Sequence, residues 1–183
     1  MGRNMRVPKV KLRRIPWRYR PLFWWQKRKY GRVLDSSLVW IKVPRLFSAI
    51  ARLYGMLDRR SSPLPPELRL IVIVRVSQMN RCQFCIDLNT ARLMRVMKSN
   101  EKVLELSTWP ESVLFSKKER AVLDYVDKIT DSNSEVDDRC FEQLKAFFDE
   151  KSLIELTALI AFQNMSTKFN EALQIPSQGF LKS

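Results

Sequence analysis

From residue 33 to 59 the apolar positions keep a helical rhythm. Pro44 suits the first turn of a second segment, in which Leu46, Phe47, Ile50, Leu53, Tyr54 and Leu57 recur at three- and four-residue spacing. "SSPLPP" at 61–66 breaks that pattern. The run that follows is "ELRLIVIVRVSQMN" at 67–80. Its β-branched residues favour a strand, its length suits a buried helix, and periodicity alone does not decide between them. Helical spacing resumes from Cys82 to Met97, with Phe84, Leu88 and Ala91 on one face and Cys85 and Asn89 one turn apart beside it. Short helices are predicted at 101–107 and at about 138–149. Between them "SKKERAVLDYVDKIT" opens with a capping box, Ser116 with Glu119, and carries Leu123, Val126 and Ile129 on its apolar face. Ser152 with Glu155 marks a second such box before "LIELTALIAFQNMSTKFNEAL". That helix is apolar on most sides and is therefore expected at the centre of a bundle. Ile175-Pro176 ends it and "SQGFLKS" trails off, so apart from one ambiguous run the chain reads as all-α.

Residues 1–32 do not share this rhythm. Pro8, Pro16 and Pro21 are expected to interrupt regular helix there. Trp17, Tyr19, Phe23, Trp24, Trp25 and Tyr30 make the segment too apolar for an ordinary disordered tail. The segment also holds twelve Lys and Arg and no Asp or Glu, which leaves 21 basic against 19 acidic residues in the rest of the chain. Of the net charge of +14, twelve therefore belong to an arm and only two to the body. The expected organisation is a basic aromatic arm over 1–32, a helical domain over 33–176 and a C-terminal tail over 177–183. Arginines among tryptophans could stack on nucleic acid or settle on an anionic membrane surface. The favoured reading has the arm wrap a neighbouring subunit, because an unpacked Phe23-Trp24-Trp25 run would leave a large apolar patch in water. Charges or prolines interrupt every apolar run before about 18 residues, and the N-terminus lacks the pattern of a secretory leader. Met1-Gly2 is followed by Arg6 where myristoylation prefers Ser or Thr. A cytoplasmic location is expected.

Candidate chemistry concentrates in "RVSQMNRCQFCIDLN", where Cys82 and Cys85 stand two residues apart at a predicted helix start. A zinc site needs about four Cys or His ligands, and here histidine is absent and only Cys140 remains, so no metal is expected. Cys140, beside Phe141 on an amphipathic helix, reads as an inert core residue. The close pair suits redox chemistry instead. A helix N-terminus lowers a thiol pKa, and Arg81 is adjacent. That logic favours Cys82 as the attacking sulfur. The bland alternative is that both are small buried residues without reactivity.

"RVSQMNRCQFCIDLN", "STWPESVLFSKKERAVLDYVDKIT" and "ELTALIAFQNMSTKFNEAL", in that order over roughly 34–176, resemble the alkylhydroperoxidase D-like branch of the carboxymuconolactone decarboxylase family. The resemblance implies an all-helical bundle that builds symmetric oligomers, and it makes 67–79 a buried helix leading into the CxxC turn. It implies a thiol-dependent peroxidase or thiol–disulfide oxidoreductase with Cys82 and Cys85 as catalytic residues and no cofactor. The partners implied are further copies of the chain, a small peroxide or disulfide substrate, and an electron-donor protein. Active members place a glutamate twelve residues before the first cysteine and a histidine four after the second, and their second cysteine attacks. Those positions hold Leu70 and Asn89 here, so the usual proton relay is missing and weak activity is expected. The attacking sulfur is thus left open between Cys82 and Cys85. Glu67 is a candidate substitute for the relay, although a turn away, whereas Asp87 points elsewhere. The competing class is a non-catalytic oligomer whose arm contacts a partner subunit, a membrane or nucleic acid.

Overall fold

The computed structural model describes residues 5–97 and 100–182. The first four residues of the arm, including Met1-Gly2, and Ser183 of the tail lie outside these. The described residues are helical, with no strand among them, as the all-α reading expects. They fall into two compact units: residues 5–58 with 173–176, and residues 59–97 and 100–172 with 177–182.

The first unit contains α1 (Arg20–Tyr30), α2 (Asp35–Trp40) and α3 (Pro44–Leu57). The arm thus holds a regular helix where its prolines were expected to interrupt one. Pro21 lies in the first turn, where its missing N–H has no intrahelical partner to lose. Gly31 ends α1 at φ 76°, a left-handed position that glycine adopts without a Cβ clash. The inner face of α1 presents Phe23, Gln26 and Tyr30. Phe23 stacks on Phe47 at 5.7 Å, within a core shared with Ile15, Leu38 and Ile41. Of the Phe23-Trp24-Trp25 run, one ring is therefore packed within its own unit, and only the tryptophans face outward. Gln26 donates to Ser37 at 2.8 Å, Lys9 pairs with Asp35 at 2.7 Å, and the Arg6 N–H reaches the Leu173 carbonyl at 3.1 Å. On α3, Leu46 and Leu53 are exposed, so its helical face is only partly core.

The second unit is built around α4 (Pro66–Met79), which packs against α5 (Gln83–Val96), α7 (Lys117–Thr130) and α9 (Glu150–Ala172). The ambiguous Ile-Val run is helix, not strand. Leu68, Leu70, Ile71, Val72, Ile73, Val74 and Val76 are all buried, so packing on every side overrides β-propensity. The central helix is α4 rather than the last one; Ile154 of α9 is 69% exposed. The remaining elements are α6 (Glu101–Glu105) and α8 (Asp138–Lys145). The capping box of Ser116 and Glu119 forms as expected. The second one does not. The Ser152 N–H is taken by Asp149 at 2.8 Å, one turn earlier, and Glu155 pairs with Arg59 and accepts from Ser62 at 3.0 Å. The "WPES" block is tied down by Arg75, which forks onto Asp127 with both bonds at 2.6 Å while Trp109 donates to the same carboxylate at 3.0 Å.

The C-terminal segment does not trail off. Asp87, on α5, accepts from the Ser177 hydroxyl at 2.7 Å and from the N–H groups of Gln178, Gly179 and Leu181 at 3.0, 2.6 and 3.0 Å. Phe180 is buried beneath that latch. Gly179 takes φ 74°, which permits the turn.

Candidate active site

The turn between α4 and α5 delivers both cysteines. Arg81 adopts φ 54°, an unusual position for a residue with a Cβ, and this reverses the chain so that Cys82 becomes the N-cap of α5. The Cys82 sulfur accepts the Cys85 N–H at 3.3 Å, a capping bond made by sulfur in place of a hydroxyl. Both side chains are buried, with 1% and 2% exposure, and all three cysteines of the chain are free.

The two thiols are electrostatically unequal. Hydrogen bonding from the Cys85 thiol is the main influence that lowers Cys82 below the ordinary range, against the cost of burial and with help from the Cys85 N–H. Cys85 is raised well above the ordinary range, first because its proton is held in that bond, then by burial and by the negative charge it would face on Cys82. Cys82 is thus the more acidic thiol of the pair. The side chain of Asn170, 2% exposed on α9, donates to the Cys85 sulfur at 3.2 Å. The charge of Glu171 raises both thiols.

Neither relay position supplies a proton. Leu70 packs in an apolar cluster with Leu93, Leu106 and Trp109. Asn89 is buried but turned to the backbone: it donates to the Cys85 carbonyl at 2.9 Å and accepts from Arg92 at 3.1 Å. Glu67 is exposed, and Asp87 is occupied by the C-terminal latch. Arg81 is exposed as well. Cys140 is buried and its thiol is pushed up to about 12 by burial and by Asp124, so it stays protonated as an inert core residue does.

Sequence reasoning missed α9's contribution. Gln163, Thr167 and Asn170 fall at i, i+4 and i+7, all buried, and form a polar stripe down a helix that otherwise reads as apolar. Gln163 donates to Ser77 at 3.0 Å, and Asn80 donates to Thr167 at 3.0 Å and to Asn164 at 2.7 Å. Asn170 ends the stripe on sulfur. The signal was present as polar residues at core spacing in "FQNMSTKFN".

A buried CxxC pair at the head of a helix, inside an all-α bundle, defines a dithiol protein of the alkylhydroperoxidase D-like type. The sequence pattern of the carboxymuconolactone decarboxylase family matches residues 44–128. The chain is 39% identical to the uncharacterized protein YnjA of Escherichia coli over 171 residues, 93% of this chain and 94% of that one. The fold matches the debrominase Bmp8 with a TM-score of 0.86 at 22% identity, over 98% of this chain and 95% of that one. It also matches an alkylhydroperoxidase AhpD core protein from Ralstonia eutropha with a TM-score of 0.84 at 22% identity, over 96% and 94%. At such identities the likeness to the solved structures is one of fold. The chain belongs to the carboxymuconolactone decarboxylase family, and its fold is that of the alkylhydroperoxidase D-like branch.

Proposed function

We propose that the chain is a dithiol peroxidase in which Cys82 attacks and Cys85 resolves, the reverse of the order that the family resemblance implies. The observation that carries this reading is that Cys82 stands at the N-cap of α5, where its sulfur accepts the Cys85 N–H at 3.3 Å. The Cys82 thiolate attacks the terminal oxygen of a hydroperoxide and the O–O bond breaks, leaving a Cys82 sulfenic acid and an alkoxide. The alkoxide takes the proton of Cys85, which becomes an alcohol's hydrogen, and Cys85 is left as thiolate. That step fills the place of the missing glutamate and histidine, since Cys85 is itself the general acid. The Cys85 thiolate, steadied by the Asn170 N–H, then attacks the sulfenic sulfur. A disulfide forms and hydroxide leaves as water after protonation. Two electrons from an external dithiol protein restore the pair.

The test is peroxide consumption with Cys82→Ser and Cys85→Ser, read together with sulfenic-acid trapping and mass spectrometry. Cys82→Ser should abolish consumption. Cys85→Ser should give at most one slow turnover that stops at a Cys82 sulfenic acid. Activity kept by Cys82→Ser and lost by Cys85→Ser would reverse the roles, and two thiols left untouched by peroxide would make the pair structural.

A second substrate class has its own support. The fold is shared with Bmp8, of which a cysteine-to-alanine variant is known in complex with 2,3,4-tribromopyrrole, and here Leu70 and Asn89 leave the peroxide relay empty. A dithiol can also reduce a carbon–bromine bond: the pair is oxidised to a disulfide, hydrogen replaces bromine on carbon, and hydrogen bromide is released. Bromide release from 2,3,4-tribromopyrrole, run beside the peroxide assay, separates the two substrates.

A further inference from the structure

The outer face of α1 is built unlike the rest of the first unit. Phe23, Gln26 and Tyr30 point inward, which leaves Trp24, Trp25 and Arg28 on the opposite side of the helix, with Arg20 and Lys27 along one edge and Lys29 along the other. Trp24 and Trp25 are 64% and 41% exposed, and Trp17, in the turn before the helix, is 81% exposed. Cations accompany the rings: Arg28 lies 5.8 Å from the Trp24 centroid and Lys29 lies 4.7 Å from that of Trp25. Lys11, Arg13, Arg14 and Arg18 are exposed just upstream. No Asp or Glu occurs before Asp35. Such a face meets water with large indoles and unbalanced positive charge, although the helix beneath it is held by a packed inner side.

We propose that the outer face of α1, with Trp17, is a docking surface for an anionic phospholipid membrane. The charge selects an acidic headgroup layer, because cations near such a surface gain attraction that grows with each Lys or Arg. The indoles suit the depth of the headgroups, with an apolar body and one N–H donor, while Lys and Arg stems reach past them to phosphate. The helix is already folded by its inner face, so binding carries no ordering cost. A single convex helix face, with its rings lying under their own cations, offers no slot in which bases would stack, and this disfavours nucleic acid. Among the described residues no helix is long and apolar enough to cross a membrane, so the contact proposed is with the surface.

The experiment uses the full chain and co-sedimentation with vesicles of phosphatidylcholine alone or with about 30 mol% phosphatidylglycerol. Binding is expected only to the acidic vesicles, with a blue shift of indole emission, and it should weaken as NaCl rises from about 0.1 to 0.5 M. Trp24→Ser with Trp25→Ser should weaken partitioning by roughly tenfold or more, and Lys27→Glu with Arg28→Glu by at least as much, since each basic charge is worth roughly fivefold at such a surface. All four positions are exposed, and circular dichroism should show both variants folded. Three results would each overturn the proposal. The first is equal binding to neutral and acidic vesicles, or none to either. The second is tighter binding of a single-stranded or duplex oligonucleotide at matched salt. The third is a fall in molecular mass by light scattering when the tryptophans are replaced, which would make this face a contact between copies of the chain.

Discussion

Replacing Asn170 separates the two chemical steps that the site would perform. Its amide donates to the Cys85 sulfur at 3.2 Å and is a direct protein donor to the sulfur that must become a thiolate after the first step. A hydrogen bond to a charged acceptor contributes about 1.5–3 kcal/mol. At 1.36 kcal/mol for each factor of ten, its loss leaves roughly 13- to 160-fold less Cys85 thiolate at a given pH. A more basic thiolate is also a better nucleophile, which recovers about half of that effect on a logarithmic scale. Disulfide closure in Asn170→Ala should therefore slow by roughly fourfold to thirteenfold. Attack on peroxide should slow less, because Asn170 is a smaller influence on Cys82 than the Cys85 thiol is. The assay is a single turnover with stoichiometric peroxide, in which dimedone traps the sulfenic acid and mass spectrometry follows its decay to disulfide. Sulfenic acid should accumulate in the variant. Asn170→Leu fills nearly the same space without a donor, so an effect of packing alone would spare it. In the native chain attack should reach its plateau at a lower pH than an ordinary thiol would allow, since Cys82 is lowered below the ordinary thiol range. Unchanged closure in Asn170→Ala, or attack slowed more than closure, would refute the assignment of Cys85 as the resolving sulfur.

Two further outcomes follow from the structure. Asp87→Asn should release the C-terminal segment, with a loss of about 3 kcal/mol, a lower Tm and faster proteolysis within 177–183, because a buried carboxylate that accepts four bonds becomes neutral and presents a donor to some of them. Burial resists the charge of Asp87, but the bonds from Ser177 and the backbone outweigh it and lower its pKa, so the latch of the native chain is intact above the ordinary carboxylate range and opens only as pH falls through the lowered value; release near neutral pH would contradict this. Leu70→Glu with Asn89→His should raise peroxide turnover about tenfold or more over either change alone, at a cost of about 3 kcal/mol from placing a carboxyl in the apolar cluster of Leu93 and Trp109. A folded double variant with no gain in turnover would show that the relay is not what limits the site.

The helices were legible wherever apolar spacing met a start signal, as at Ser116 and Pro44. The all-α class and the family followed from order and motif. Three things were not legible, for separate reasons. The Ile-Val run of α4 has the propensity of a strand, and only burial on all sides makes it helical, a property of the whole bundle and not of residues 67–79. The first turn of α9 was assigned to Ser152 and Glu155 because the motif recurs there, but Asp149 competes for the same N–H and Arg59, distant in sequence, takes the glutamate. The α1 helix was masked by Pro21, whose effect depends on whether it falls in a first turn or an interior one. At the site itself, Cys82 and Cys85 were read from their spacing, and Leu70 and Asn89 from the family resemblance. Asn170 and Glu171 were not, because α9 lies 85 residues along the chain from the sulfur it touches and no local pattern records such a contact.

On the proposed mechanism, the pair would account for thiol chemistry with Leu70 and Asn89 at the relay positions. Two coupled thiols titrate together, and in the proposed mechanism the useful state is the singly charged one, with thiolate on Cys82 and thiol on Cys85. Losing the second proton would place two negative charges side by side in a buried site, which burial and the charge of Glu171 both oppose. In the mechanism proposed above, that opposition is useful. It keeps the proton on Cys85 until Cys82 has bonded to oxygen and no longer carries its charge. At that moment the repulsion that held Cys85 protonated disappears, the leaving alkoxide is the strongest base present, and Asn170 is in place to steady the thiolate that results. The proton is thus released by the first step itself, so one side chain serves as acid for the first step and nucleophile for the second without an imidazole or carboxylate between them.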